Sequence, residues 1–126
     1  MKLEILPQTF CVCRMADYSM VDFDKPFCFS GCTDQEKSLV CPAEDVPANA
    51  LDVDSGWRAF RISGVLDFSL IGILAGISRV LADAKIGIFA ISTYNTDYIL
   101  VKSENFHSAL AALAEAGYEI EGIDPQ

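Results

Sequence analysis

The sequence has few basic residues, one histidine and no long apolar run. Nine Lys and Arg stand against eighteen Asp and Glu in 126 residues, giving a net charge of −9. General nucleic-acid binders need a basic surface, so we expect no nucleic-acid partner. The longest uncharged stretches, residues 68–78 and 86–96, are shorter than the roughly 18–20 residues of a membrane span. Because the N-terminal residues also lack an apolar leader, we expect a cytoplasmic protein with no membrane partner.

Catalytic signatures are also missing. The sequence contains no GxSxG, HExxH, phosphate-loop or GxGxxG motif, and His107 alone cannot form a poly-histidine metal site. The carboxylates are scattered over predicted loops and helix surfaces, where charged side chains are usually solvated. We therefore predict that the protein is not an enzyme and uses no cofactor.

Five cysteines lie in the first third of the chain, at Cys11, Cys13, Cys28, Cys32 and Cys41. An odd number without a secretion signal argues against a disulfide framework. The C-x-C and C-x3-C spacings leave a zinc or redox site open, but zinc sites usually use C-x2-C turns and these pairs fall in or beside predicted strands. We favour buried, reduced thiols and predict no metal site.

Apolar residues are abundant instead. They make up 52 % of the chain, and the mean hydropathy is +0.30. This is high for so short a chain, because a small domain has a large surface to cover. We expect part of the apolar surface to meet a ligand, a second module or another subunit.

The chain divides into two parts near Gly56. Residues 42–56 contain two prolines, several acidic residues and no sustained periodicity, which is typical of a connector. We therefore predict an N-terminal module over residues 1–56 and a C-terminal module over residues 57–126.

The C-terminal part has a clear pattern. Alternation over residues 57–63 predicts a strand with Arg58, Phe60 and Ile62 on one face, followed by a helix over 69–84 with Asp67 or Ser69 as its N-cap. Strands are predicted over 86–92 and 97–101 around a turn at 93–96. A second helix is capped by Ser103, has Phe106, Leu110 and Leu113 inward and stops at Gly117, and a short strand covers 118–120. The order β-α-β-β-α-β is that of a ferredoxin-like unit.

Residues 86–91 are apolar on both faces of the predicted strand, so we expect both faces to be covered. In the N-terminal part, strands are predicted over 3–6, interrupted at Pro7, and over 10–14, 27–30 and 38–41. A faint repeat places Phe29-Ser30 over Ile91-Ser92 and indicates a duplicated unit whose first copy is degenerate.

Three stretches resemble a bacterial family of small tandem ACT-domain proteins. They read GWRAFR at 56–61, LDFSLIGIL at 66–74 and IFAISTYNTDYILV at 88–101. The last is also similar to part of CASTOR, the cytosolic arginine sensors. The resemblance implies an α+β fold of two tandem ferredoxin-like ACT modules with antiparallel sheets, the N-terminal one degenerate, together with amino-acid binding and sheet pairing in a homodimer. One departure is Ala84-Lys85-Ile86, where the family often has Ala-Gly-Ile, so we expect that helix to close differently.

The resemblance also implies a ligand site between ACT modules. The predicted ligand-binding residues are Ser69, Leu70, Ile71, Gly72, Ile73, Thr93, Tyr94, Asn95, Thr96 and Asp97. The first N–H groups of a helix suit a ligand carboxylate, and Asp97 suits an amino or guanidinium group. Plainer interpretations stay open: Gly72 as a packing glycine, Ser69 as a helix cap only and Asp97 as a turn residue. For Arg61 we favour a surface salt bridge over the alternative, neutralisation of an acidic group of the ligand.

The leading hypothesis is a non-catalytic regulatory protein or sensor that binds a small molecule, most simply an amino acid. One alternative is an interaction module that has lost its ligand and works by oligomerisation or by binding another protein. A thiol or metal sensor is a third hypothesis, which rests on the cysteines alone.

Overall fold

The computed structural model describes residues 1–64 and 71–122. Their strands and helices are, in chain order, β1 (Lys2–Met15), β2 (Phe29–Cys32), β3 (Lys37–Pro42), a 3-10 turn (Ala43–Asp45), β4 (Ala50–Ile62), α1 (Ile73–Asp83), β5 (Phe89–Ser92), β6 (Asp97–Lys102), α2 (Ser103–Glu115) and β7 (Glu119–Glu121). Two compact units result. We call Gln8–Trp57 the N-terminal unit, and Met1–Pro7 with Arg58–Gln126 the C-terminal unit. Neither described helix has the length and apolar character needed to cross a bilayer.

The first seven residues belong to the C-terminal unit, although we expected them in the N-terminal module. The reason is a pairing between distant parts of the chain: Lys2–Glu4 of β1 run beside Glu119–Glu121 of β7. This pair is parallel, whereas the pairs β1–β3, β2–β3 and β5–β6 are antiparallel, as the resemblance implies. Parallel neighbours need a long connection, and here most of the chain provides it.

The core of the C-terminal unit lies between its strands and its two helices. In this unit β7, β1, β4, β6 and β5 follow one another in strand order. Their inward side chains meet apolar stripes of the helices. The largest fully buried residues of this core are Leu3, Phe60, Ile62, Ile77, Leu81, Ile99, Val101, Phe106 and Leu113. The predicted inward residues of α2 are confirmed, and the face of β4 that carries Arg58, Phe60 and Ile62 is buried in this core.

Both helices end in the same way, which corrects one expectation. In α2 the N–H of Gly117 donates to Ala114 and that of Tyr118 to Leu113, and Gly117 has a φ of 104°. This is a Schellman motif with the predicted glycine. In α1, Lys85 takes the equivalent left-handed position at φ 62°. The missing glycine therefore does not change the closure, and a lysine adopts the strained conformation instead.

The helix starts differ from expectation. Helix α1 begins at Ile73 with Gly72 as its N-cap, and no side chain caps it. The expected caps, Asp67 and Ser69, lie outside the described residues. Ser103 is the first residue of α2 rather than its cap, which is Lys102.

The N-terminal unit has irregular chain where the C-terminal unit has α-helices. All of residues 8–57 are described, and the 3-10 turn is their one helical segment. A small core of Cys11, Cys13, Met15, Leu39 and Cys41 lies on the strands. Part of the segment between β1 and β2 packs against it, and the Tyr18 hydroxyl lies 2.9 Å from the carbonyl oxygen of Ser38.

Three strands differ in extent from the predicted ones. Strand β1 is continuous through Pro7, which lies between the residues paired with β7 and those paired with β3, where a missing N–H interrupts neither ladder. Much of the predicted connector is strand, because β4 begins at Ala50. Strand β5 begins at Phe89 rather than at residue 86, and Phe89 and Ile91 are half-buried.

Candidate functional site

The turn between β5 and β6 holds four of the predicted ligand residues, with Asp97 following at the start of β6, and it is closed by threonine. The N–H of Thr93 donates to the carbonyl oxygen of Thr96 at 2.9 Å, and the Thr93 hydroxyl reaches the same oxygen at 2.9 Å. The Thr96 hydroxyl is buried and donates to the carbonyl oxygen of Ile62 at 2.8 Å. Both threonines therefore fix the turn through their hydroxyl groups.

The remaining turn residues face outwards to different degrees. The side chain of Tyr94 is 82 % exposed, and Asn95 is exposed as well. Asp97 pairs with Ser92 across the hairpin, and its carboxylate accepts a hydrogen bond from the Ser92 hydroxyl at 2.5 Å. A structural role for Asp97 in closing the hairpin is thus present whether or not a ligand contacts it.

The start of α1 carries the other predicted residues. Ile71 is 94 % exposed, Gly72 has a φ of 82° with open space where a Cβ would be, and Ile73 packs against the core. Gly72 is therefore explained by its backbone conformation rather than by close packing. Ser69 and Leu70 lie outside the described residues.

A cavity of about 210 Å³ lies beside the turn in the C-terminal unit. The described residues that line it are Glu4, Arg61, Ile62, Gly64, Asn95, Thr96 and Tyr98. Two predicted residues, Asn95 and Thr96, are brought together there with Glu4, Arg61 and Tyr98, which the sequence did not select as ligand-binding. Ile71, Gly72 and Ile73 are not among the described lining residues.

Arg61 is the central cation of this cavity. Its Nε and Nη2 each donate to one oxygen of Glu4 at 3.2 Å, and its Nη1 lies 3.3 Å from the Tyr98 hydroxyl oxygen. The guanidinium carbon also lies 5.9 Å from the centre of the Tyr98 ring. The Glu4 carboxylate, followed by the Tyr98 hydroxyl, raises the pKa of Arg61 above its ordinary value. The expected salt bridge of Arg61 is confirmed, and it is held in a fixed bidentate geometry.

The N-terminal unit contains a hairpin of the same design. Each pair in β2–β3 corresponds to a pair 60 residues later in β5–β6, from Phe29 and Phe89 at one end to Cys32 and Ser92 at the other. The repeat detected in the sequence is thus present in the backbone, but its alignment was wrong by two residues, since Phe29 corresponds to Phe89 rather than to Ile91.

The two turns share their hydrogen bonds. The N–H of Thr33 donates to Glu36 at 2.9 Å, as that of Thr93 does to Thr96, and the Thr33 hydroxyl accepts from the Glu36 N–H at 3.1 Å. Each long strand also carries an arginine as its penultimate residue. Arg14 of β1 pairs with Asp52 at 2.6 Å, as Arg61 of β4 pairs with Glu4.

Three of the five cysteines form a buried thiol cluster. All five are free: Cys11, Cys13 and Cys41 are buried together and Cys28 packs against them, whereas Cys32 is exposed, so the expectation of a buried thiol is wrong for Cys32. Burial, followed by the neighbouring Cys13, raises the pKa of Cys41 to about 12, which keeps this thiol protonated and unreactive. In residues 1–64 and 71–122 no group of three or more His, Cys, Asp or Glu side chains is arranged to hold a metal ion.

A family comparison decides the classification. The profile of the ACT domain matches residues 52–115, just over half of the chain. The chain belongs to the ACT domain family. ACT domains are typically regulatory rather than catalytic modules that bind small molecules such as amino acids, and they often oligomerise.

Several solved structures have a fold similar to that of this ACT-domain chain. A protein of Agobacterium tumefaciens is 30 % identical, with a TM-score of 0.84, over 99 % of this chain and 96 % of that one. A Vibrio cholerae protein of unknown function, titled a possible transport protein, is 22 % identical with a TM-score of 0.67, over 90 % and 88 %. The aspartate kinase of Clostridium acetobutylicum, described as an allosteric enzyme, is 12 % identical with a TM-score of 0.64, over 87 % of this chain and 33 % of the kinase.

Proposed function

We propose that this ACT-domain chain is a non-catalytic regulatory protein that binds an amino acid and acts in the cytoplasm as a homodimer. The observation that carries the proposal is the ACT match over residues 52–115, which includes α1, the threonine-closed turn and α2. Five free cysteines are in keeping with a reducing compartment.

The ligand surface that we propose consists of the start of α1 and the turn that follows β5. Gly72 leaves the first N–H groups of α1 without a side-chain cap, and such groups attract a carboxylate. Asp97 supplies a negative charge for an amino group at the end of the turn. Ser69 and Leu70 remain part of the proposed surface on the strength of the sequence alone.

We further propose that the N-terminal unit is a degenerate second ACT module. The 60-residue correspondence of the hairpins and their shared threonine turns support a duplication. The degenerate character is supported by the 3-10 turn Ala43–Asp45, which follows β3 where the 13-residue α2 follows β6.

A thermal-shift titration with the twenty amino acids tests the amino-acid hypothesis. A ligand at 100 times its Kd stabilises the folded protein by about 2.7 kcal/mol, which raises the melting temperature by several degrees. If none of the twenty stabilises the protein at millimolar concentration, amino-acid binding is wrong.

A pair of matched variants tests the role of the turn. Asp97→Ala and Ser92→Ala both remove the hydrogen bond between these side chains, but only the first removes a charge. We expect Asp97→Ala to weaken the stabilisation by the amino acid and Ser92→Ala to preserve it. Equal effects of the two variants would show that Asp97 serves the hairpin alone.

Self-assembly through β5 is the second candidate function. Strand β5 ends the strand order, and Phe89 and Ile91 on it keep part of their apolar surface exposed. In this case Phe89→Asp or Ile91→Asp converts an oligomer into a monomer in light scattering, whereas Asp97→Ala leaves the oligomer intact. A wild-type chain that is monomeric at every concentration contradicts this candidate.

A further inference from the structure

The N-terminal unit contains a cavity that the proposed function does not use. Its volume of about 470 Å³ falls within the roughly 300–1,000 Å³ of small-molecule sites. The residues that line it are Gln8, Lys25, Pro26, Phe27, Pro42, Glu44 and Asp45. All of them lie in the N-terminal unit, and none belongs to the ligand surface proposed above.

A buried hydrogen-bond acceptor lies in the wall of this cavity. The side-chain oxygen Oε1 of Gln8 is shielded from solvent and accepts no hydrogen bond from the described residues. The residue as a whole is only half-buried, and rotation about its softly restrained terminal torsion brings Oε1 to the cavity surface. Because an unpaired buried oxygen destabilises a fold, its place in a cavity wall points to a ligand that donates a hydrogen bond.

Two carboxylates of the 3-10 turn border the same space. Asp45 keeps 17 % of its side-chain surface exposed, and its Oδ1 accepts a hydrogen bond from the Lys25 ammonium at 3.1 Å. This bond raises the pKa of Lys25 above its ordinary value, so the Asp45 carboxylate already favours an ammonium. It uses one of the two Asp45 oxygens, and no described residue donates to Oδ2 or to the exposed Glu44 carboxylate. Both carboxylates can therefore accept a further donor.

The rest of the cavity wall is apolar. The Phe27 ring meets the buried Phe10 ring edge-on, with the ring centres 6.2 Å apart and the planes at 86°. Pro26 and Pro42 line the cavity together with Phe27. Such flat, ordered surfaces suit the hydrocarbon part of a ligand, whereas the acceptors suit its donor group.

We propose that this cavity binds a primary amine that has an apolar group and no carboxylate. Its ammonium has three N–H donors, equal in number to the acceptors that Gln8 Oε1, Asp45 Oδ2 and Glu44 provide. Its apolar group packs against Phe27 and the two prolines. The net charge of −9 attracts a cation and repels an acid. This site is additional to the proposed amino-acid surface and does not depend on it.

An amide NMR titration of the full chain tests the assignment. The probes are phenethylamine and hexylamine, and the matched controls are phenethyl alcohol and hydrocinnamate, which lack the positive charge. We expect both amines to cause saturable shifts of the N–H signals of Gln8, Phe27 and Glu44. Both controls should bind at least about tenfold more weakly. Phenylalanine should also bind this cavity at least about tenfold more weakly, since its carboxylate meets the acidic side chains.

Matched variants separate binding from folding. Asp45→Asn and Gln8→Met should each weaken binding of phenethylamine about tenfold, because each removes an acceptor of the ammonium. Gln8→Met should at the same time preserve or raise the melting temperature, since it removes an unpaired buried oxygen. Asp22→Asn serves as the control. It removes the same charge from a cavity that excludes Gln8, preserves the oxygen that accepts from the Asp24 N–H, and should bind like the wild type.

Several outcomes overturn the assignment. It is wrong if neither amine binds at millimolar concentration, if the alcohol or the acid binds as tightly as phenethylamine, or if the shifts fall in the C-terminal unit. It is also wrong if Asp22→Asn weakens binding as much as Asp45→Asn does. Should Asp45→Asn or Gln8→Met not fold, Glu44→Gln at an exposed position must weaken binding in their place. Because no probe is an amino acid, failure here leaves the proposed function standing.

Discussion

The two hairpins of this protein have the same backbone design and different surroundings. In each, a strand of four residues is joined to a strand of six by a turn that a threonine closes. The hairpin β5–β6 continues into a 13-residue helix with a large apolar core, whereas β2–β3 continues into a single 3-10 turn over a small core rich in thiols. The hairpin therefore does not require the helix that follows it, since strand pairing and turn bonds are satisfied locally in both hairpins.

The largest difference in stability effect between the two hairpin regions is expected for substitutions of Phe106 and Val46, which lie 60 positions apart in the chain. Phe106 is fully buried in the C-terminal core, with the Arg58 guanidinium carbon 4.5 Å from its ring centre, whereas Val46 is only partly buried. Phe106→Ala should lower the free energy of unfolding by about 3–5 kcal/mol, and Val46→Ala by about 1 kcal/mol or less. Urea denaturation measures both. Similar losses would contradict the expectation that Phe106 of α2 contributes more to stability than Val46 does.

The thiol core is expected to make the N-terminal unit sensitive to alkali. The raised pKa of Cys41, about 12 against an ordinary 9.0, means that the folded state retains a proton that the unfolded state loses. Its stabilising contribution is complete below pH 9 and is lost as the pH rises towards 12. Cys41→Ala should cost about 1–2 kcal/mol at neutral pH and flatten the alkaline decline in urea unfolding. An unchanged decline would assign the pH dependence to other groups.

A change at Lys85 should stabilise the C-terminal unit alone. This residue has a φ of 62° at the end of α1, where a glycine is free of strain. Lys85→Gly should raise the stability by about 1 kcal/mol, and Gly117→Ala at the end of α2 should lower it by a similar amount. Amide hydrogen exchange should locate the gain in the C-terminal unit, and slower exchange in β3 as well would show that the units unfold together.

The smallest effects are expected in the turns, where the two hairpins are most alike. Thr33→Val and Thr93→Val each remove a hydroxyl that bonds the backbone of its own turn. Each should cost about 0.5–1 kcal/mol in thermal unfolding, by equal amounts within error. A loss of stability at one turn only would show that the two threonine hydroxyl groups contribute unequally despite their similar hydrogen bonds.

Local patterns predicted the parts of this fold that local contacts stabilise. The hairpin around the turn at Thr93, the inward face of α2 and the stop at Gly117 all follow from spacing and residue type. The start of α1 was misplaced because its N-cap is Gly72 in a left-handed conformation. The search for a helix start relied on a polar capping side chain, and glycine has none.

Non-local pairing explains most of what the sequence did not reveal. The first half of β4 was taken for a connector because neither face of this part of the strand is buried. Even its apolar residues Leu51 and Val53 are exposed, so the sequence shows no alternation of apolar and polar residues that would predict a strand. Similarly, the salt bridge of Arg61 was expected, but its partner Glu4 lies 57 residues away and could not be named. Both residues of this ion pair line the cavity beside Asn95. Sequence reasoning therefore found the turn and missed the charged pair next to it.

The pairing of Lys2–Glu4 with Glu119–Glu121 also sets an order of events during synthesis. The N-terminal unit is complete once Trp57 has left the ribosome, whereas Met1–Pro7 must wait for the last strand of the same chain. Such a distant closure raises the contact order and slows the final step of folding. Until then Leu3 and Ile5, which end up in the core, are exposed to solvent and to other nascent chains. Residues made early are thus protected late, and a chaperone that holds Met1–Pro7 until β7 is made would act on the slowest step.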